Sequence, residues 1–121
     1  MGSYRDLEIY QLSKRLALTT HELTMHLPKH ELYEEGSQVR RSSKAVTSLI
    51  VEGFGRRRYK QDYVRYLVCA HSECDETIVH LEFLMETKSS KDEVSVKALI
   101  SEYQILSKKI NTYIKWIERN A

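Results

Sequence analysis

The scarcity of chain breakers constrains this sequence more than any other feature. Its 121 residues include four glycines and a single proline, Pro28. An all-β domain needs turn residues about every 8–12 positions, which this chain does not supply. The long uninterrupted segments that remain carry helical periodicity. At 100° per residue, Ile9, Leu12, Leu16, Leu23 and Leu27 fall in one sector of a first helix over residues 6–27, which Pro28 stops. A second helix over 37–54 aligns Val39, Ser43, Val46, Ile50 and Gly53, mostly small residues that let a neighbouring helix approach closely. A third over 59–86 aligns Tyr63, Leu67, Ala70, Cys74, Ile78, Leu81 and Met85. A fourth over 91–119 follows Ser90 and Glu93, which have capping-box spacing, and carries Leu99, Tyr103, Leu106, Ile110, Tyr113 and Ile117. The pattern predicts an all-α chain: one domain over residues 1–121, an antiparallel up-down four-helix bundle. The length suits one core and not two.

A monomeric bundle needs one apolar stripe per helix. The first helix has a second, formed by Leu7, Leu18 and Met25, almost opposite Ile9 and Leu16. The third helix has another, formed by Val64, Val68, Val79 and Phe83. Apolar residues scattered singly over a surface need no explanation, but aligned stripes mark contact surfaces. These seven residues are therefore the expected oligomer interface of a protein that associates with itself.

Catalytic and metal chemistry find little support. In "HELTMH", His21 and His26 are five residues apart, whereas two ligands on one helix face need a spacing of three or four. Cys69, His71 and Cys74 point to different sides of the third helix, and Cys74 reads as a small core residue. No arrangement of nucleophile, base and oxyanion donors emerges, so the chain is read as a non-enzyme needing neither metal nor cofactor. Glu52 reads as an ion-pair partner for the arginines that follow it. No segment is apolar enough to span a membrane, and the N-terminus lacks a signal-peptide pattern. With two cysteines and no export pattern, a reducing cytoplasm is expected.

Charge is the more informative signal. The net charge is only +2, yet eight basic residues against Glu52 and Asp62 lie between residues 38 and 65, and five acids without a Lys or Arg between 73 and 86. The densest stretch is "VEGFGRRRYK", residues 51–60. Its "GFG" is not a nucleotide-binding loop, because a helix and not a strand precedes it. Gly53 or Gly55 in the left-handed conformation would close the second helix. That helix's dipole accounts for one arginine, but Arg56, Arg57 and Arg58 also stand where the third helix begins, at a positive dipole end suited to an anion. Arg40, Arg41 and Lys44 extend the positive surface, Lys60 adds to it, and Tyr59 offers a stacking face. These eight residues are the candidate nucleic-acid-binding set. A solvated basic face, and pairing with the acidic part of a neighbouring subunit's third helix, are the other readings.

The order of motifs resembles the bacterial four-helix-bundle proteins encoded within intervening sequences of 23S ribosomal RNA genes. The likeness runs from "YRDLEIYQLSKRLA" (Tyr4, Asp6, Leu7, Tyr10) through "LPKHELYEEGSQVRRSSKAV" (Pro28, Glu31, Gln38, Arg40, Arg41) to "EGFGR" (Glu52, Gly53, Gly55, Arg56) and "DYVRYLVCAHSECDETIVHLEFL". Leu49, His71 and Glu35 depart from the family's usual Asn, Gly and apolar residue. The resemblance implies a ring-shaped homopentamer without enzymatic activity. The chain is similar also to the accessory protein of diversity-generating retroelements, which implies binding of nucleic acid and a reverse transcriptase as a possible partner. The nucleic acid expected is RNA, held through phosphate contacts. The function expected is a ribonucleoprotein or reverse-transcriptase accessory. The alternative is a protein–protein scaffold whose basic patch serves assembly or a protein partner.

Overall fold

The computed structural model describes residues 2–120. A 3-10 turn at Tyr4–Asp6, capped by the Ser3 hydroxyl, leads into α1 (Glu8–Thr24). A short α2 (Lys29–Tyr33) follows Pro28, then α3 (Glu35–Gly55), α4 (Lys60–Glu86) and α5 (Glu93–Asn120). No strand occurs among the described residues. The four long helices pack in the cyclic order α1, α3, α4, α5, with the contact between α5 and α1 the smallest. Neighbours run antiparallel, as cross-helix hydrogen bonds record. Ser13 meets Thr47, Ser42 meets Thr77, Tyr63 meets Tyr113, and Thr20 meets Tyr103. This is an up-down four-helix bundle in which α1 and α4 are diagonal.

The core runs the length of the bundle through Leu16, Val46, Ile50, Leu67, Leu81, Leu99, Leu106 and Ile110, all essentially inaccessible to water. Burying each such side chain stabilises the fold by roughly 1.5–3 kcal/mol. α3 presents small residues inward, and their hydroxyls are satisfied: Thr77 Oγ1 donates to Ser42 Oγ at 2.8 Å, and Ser43 Oγ donates to the Arg40 carbonyl at 3.1 Å. Tyr103 is fully buried, and burial pushes its phenol well above the usual range.

Several expectations are corrected. Leu7 is not part of an outer stripe but is buried at 3% exposure. It precedes α1 with an extended backbone (φ −71°, ψ 128°), so the 100° projection does not apply to it. Val64 is partly buried against the core. Leu18, Met25, Val68, Val79 and Phe83 do stand exposed, with Leu18 on α1, Met25 at its C-cap and the rest on the diagonal α4. The start of α5 is capped by Asp92, whose carboxylate accepts from the Ser95 N–H (3.1 Å) and hydroxyl (2.6 Å), two positions later than the Ser90–Glu93 spacing implied. No described glycine has a positive φ. The left-handed residue is Lys88 (φ 56°), where Lys88 N–H bonds to the Met85 carbonyl and Ser89 N–H to the Leu84 carbonyl, closing α4 as a Schellman motif.

Candidate functional site

α3 continues through both glycines and then tightens. Arg56 N–H bonds to the Gly53 carbonyl (2.9 Å) and Arg57 N–H to the Phe54 carbonyl (3.1 Å). A further bond from Tyr59 N–H to the Arg56 carbonyl (2.9 Å) turns the chain into α4. Gly53 serves close approach, not chain reversal: a Cβ there would lie 3.0 Å from Tyr66 Cβ and 3.3 Å from Tyr63 Cδ1. This tight α3–α4 contact throws Arg56, Arg57, Arg58, Tyr59 and Lys60 outward as one exposed corner. Tyr59 precedes α4 in an extended conformation, and no side chain caps the helix there.

Within the corner the arginines lie on aromatic rings. Arg56 sits 4.8 Å from the Tyr66 centroid, Arg57 3.9 Å from Phe54 and Arg58 5.9 Å from Tyr59. Arg57 also donates to the Phe54 carbonyl (3.0 Å), and Lys60 donates to the Glu118 carbonyl (2.8 Å) near the C-terminus of α5. Such contacts are worth about 0.5–1 kcal/mol at exposed sites and hold a side chain without neutralising it. Among the described residues no carboxylate lies within ion-pair distance of Arg56, Arg57 or Arg58, and Glu52, expected to be their partner, is exposed without one.

The remaining sequence-predicted basic residues stand elsewhere. Lys44 is about 18 Å along α3 from Arg56 at 1.5 Å per residue, and each member of this group has a partner. Arg40 turns inward, donates to the Leu32 carbonyl (2.7 Å) and buries its second terminal nitrogen without a hydrogen bond. Arg41 bridges Glu76 (3.0 Å) and Glu73 (3.4 Å) of α4, so this pairing with the acidic segment forms within one subunit. Lys44 reaches His21 Nδ1 at 3.2 Å. Burial, with the hydrogen bond to Glu76, raises the Glu73 carboxyl above its ordinary value. Hydrogen bonds to Glu73 and His80, together with Arg41, hold Glu76 below it.

Sequence reasoning missed the contribution of α5. The antiparallel packing brings Lys108, Lys109, Lys115 and Arg119 to the same end of the bundle as the corner, where Lys109 pairs with Glu8 (2.9 Å) and Lys60 meets Glu118. Val94, Ile105 and Trp116 also lie exposed along α5 at intervals of eleven residues, a spacing legible in the sequence as a third outer stripe. Two departures from the family pattern acquire partners across helices: Glu35 pairs with His80 Nδ1, and His71 Nε2 lies 3.0 Å from Ser107 Oγ. Ser107 also donates to Asp75 (3.0 Å), which gives a serine, a histidine and an aspartate in one cluster. Ser107 lies in mid-helix, where the backbone N–H groups are engaged in the α-helical ladder and are not available as oxyanion donors. No group of three or more metal-ligating side chains occurs among the described residues. Cys74 is buried, with burial pushing its thiol up to about 12, while Cys69 is exposed.

The class that fold and site define is an all-helical bundle with a basic corner at one end. The family model of the 23S rRNA-intervening sequence protein matches residues 5–112, and the chain belongs to that family. Its fold is similar to that of a crystal structure from Bacteroides thetaiotaomicron, described as a protein with unknown function from the S23 ribosomal protein family. The TM-score is 0.79 at 18% identity, covering 88% of this chain and 95% of the other. No curated protein matches the chain. No described helix is long and apolar enough to cross a membrane.

Proposed function

We propose that this protein is a non-enzymatic, cytoplasmic, homo-oligomeric bundle that binds nucleic acid, RNA first, through phosphate contacts at the exposed end of α3 and the start of α4. It acts as an accessory of a ribonucleoprotein or a reverse transcriptase. The observation that carries the reading is the exposed run Arg56–Arg57–Arg58–Tyr59–Lys60, whose arginines are held on aromatic rings but left without carboxylate partners. The basic residues of α5 enlarge the same positive end. Arg40, Arg41 and Lys44 are secondary, because their partners must release them before they can meet a phosphate.

Self-association draws on the outer apolar stripes. Leu18 on α1 with Met25 at its C-cap, and Val68, Val79 and Phe83 on α4, lie on diagonal helices, so they supply the two different surfaces that a closed ring of head-to-tail contacts requires. A pentameric ring is the proposed assembly. The same stripes favour a second reading, in which the protein is a scaffold and the basic corner grips a protein partner.

Fluorescence anisotropy with a structured RNA and a duplex DNA at about 50 and about 200 mM salt separates the two. Phosphate contacts make log affinity fall with log salt at about −0.9 per phosphate on duplex DNA. The folded Arg56/Arg57/Arg58→Ala variant should show weaker binding and a shallower slope. Absence of binding at low salt refutes the nucleic-acid reading and leaves the scaffold. Light scattering in the same buffers tests the assembly: an apolar interface survives high salt, and a monomer at micromolar concentration refutes the ring.

A further inference from the structure

Beside the basic corner, the N-terminal segment of α1 and the second half of α5 leave an open groove of about 990 Å³. This is at the large end of small-molecule sites, roughly 300–1,000 Å³. Its wall is aromatic. Tyr113 and Trp116 lie parallel, with centroids 6.1 Å apart and planes 5° apart, and the Tyr113 hydroxyl is fixed by Tyr63 at 2.9 Å. Burial raises the Tyr63 phenol above its ordinary value. Trp116 nevertheless remains 53% exposed, an indole held in place with much of its surface toward water.

The cations around the groove differ in their partners. Lys109 is neutralised by Glu8 at 2.9 Å, whereas Arg57 and Lys108 have no carboxylate within ion-pair distance among the described residues. An apolar helix seated here would strip water from both cations and give nothing back. A ligand with a planar apolar face and a nearby negative charge satisfies wall and cations together, and a nucleotide unit has that composition. Bases in a duplex are stacked on one another and unavailable, but bases of a single strand can splay onto aromatic side chains.

We propose that the groove seats an unstacked base of a single-stranded nucleic acid against Trp116, with the adjoining phosphate on Arg57 and Lys108. This rests on the nucleic-acid reading and deepens it: the corner holds backbone, and the groove selects strands with free bases.

Trp116 is the single tryptophan of the chain, so its fluorescence reports from the groove. The test titrates the full-length protein with a short single-stranded oligonucleotide and with a blunt duplex at one salt concentration, reading tryptophan emission and the anisotropy of labelled strands. The single strand should quench Trp116 saturably and the duplex should not. Trp116→Ala should weaken single-strand binding by about 5- to 150-fold, the range seen for loss of one base–aromatic stack. It should leave duplex affinity and circular dichroism unchanged, and Trp116→Phe should recover most of the loss. If both nucleic acids bind but emission is unmoved, or Trp116→Ala binds the single strand normally, the groove proposal is overturned while the function stands. An emission that changes on dilution of the protein, and not with nucleic acid, assigns the groove to a second copy and equally overturns it. Binding of neither nucleic acid overturns the function and this inference with it.

Discussion

The α3–α4 contact that builds the basic corner can be tested with two glycines that differ in one respect. Gly53 and Gly55 both lie in α3 with ordinary helical φ, so replacing either by alanine gains helix propensity of up to about 1 kcal/mol. At Gly55 nothing lies within 4 Å of the new methyl group, and the variant should be more stable by up to that amount. At Gly53 the methyl would meet Tyr66 Cβ at 3.0 Å and Tyr63 Cδ1 at 3.3 Å. The first of these atoms is bonded directly to the α4 backbone, so no rotamer change moves it away and the two helices must separate. Overpacking of that kind costs about 1–3 kcal/mol. Gly53→Ala should therefore be neutral to about 2 kcal/mol less stable, which places it about 1–3 kcal/mol below Gly55→Ala. For a chain of this length each kcal/mol moves the melting temperature by about 3–5 °C. Urea and thermal unfolding followed by circular dichroism, at one protein concentration because self-association adds to stability, measure the gap. Separation of the helices would also shift Tyr66 and the Arg56 guanidinium above its ring, so nucleic-acid affinity should fall along with stability. Equal stabilisation by both alanines would refute the close approach and the account of the corner built on it.

Lys88 holds the left-handed position that ends α4, so Lys88→Gly should stabilise the fold by about 0.5–1 kcal/mol, read as a higher urea midpoint. Native protein at mildly alkaline pH should expose one thiol per chain to a disulfide reagent, that of Cys69, and denatured protein two; a second fast native thiol would contradict the burial of Cys74. Hydrogen bonds from Ser95 lower the Asp92 carboxyl in the fold, so its cap contributes stability above the unfolded value of about 3.9 and loses it as pH falls through the lower folded value. Asp92→Ala should lower the urea midpoint at neutral pH. Asp92→Asn should keep most of the cap while flattening the acid limb of the stability profile, and an unchanged acid limb would exclude the role given to Asp92.

Periodicity made the four helices legible because Ile9, Leu16, Val46, Leu67, Leu81, Leu106 and Ile110 repeat with one dominant period. Their ends were less so, since capping is decided by single side chains. Asp92, and not Ser90, turned its carboxylate onto the start of α5. Leu7 was misplaced because a helical projection was extended through a residue whose backbone is extended. The arginine run was visible as composition, but its exposure was not, since it depends on Gly53 allowing α3 and α4 to meet. That Arg40, Arg41 and Lys44 are already engaged could not be read locally either. Their partners, Leu32, Glu73, Glu76 and His21, are brought to them by the fold. For the same reason the basic end of α5 was missed: its charges join the corner only because antiparallel packing returns residue 118 to residue 60.

That return gives the bundle a polarity with consequences for any assembly. Arg5, Arg56, Arg57, Arg58, Lys60, Lys115 and Arg119 gather at one end, while Glu22, Glu34, Glu82, Glu86 and Glu93 gather toward the other. The outer stripes on α1 and α4 run along the bundle, so contacts through them set subunits side by side. α1 and α4 point the same way, and a head-to-tail contact between them repeats the same rotation at every step. A closed ring built in this manner carries all its basic ends on one face and all its acidic ends on the other. In the proposed ring the net charge of +2 per chain would understate what a phosphate backbone meets, because the basic ends of all subunits would share one face. Affinity from such a face grows by avidity, with the later contacts made at high effective concentration. A two-fold dimer through a single stripe would not repeat this geometry, and so the proposed binding and the proposed ring stand on the same arrangement of helices.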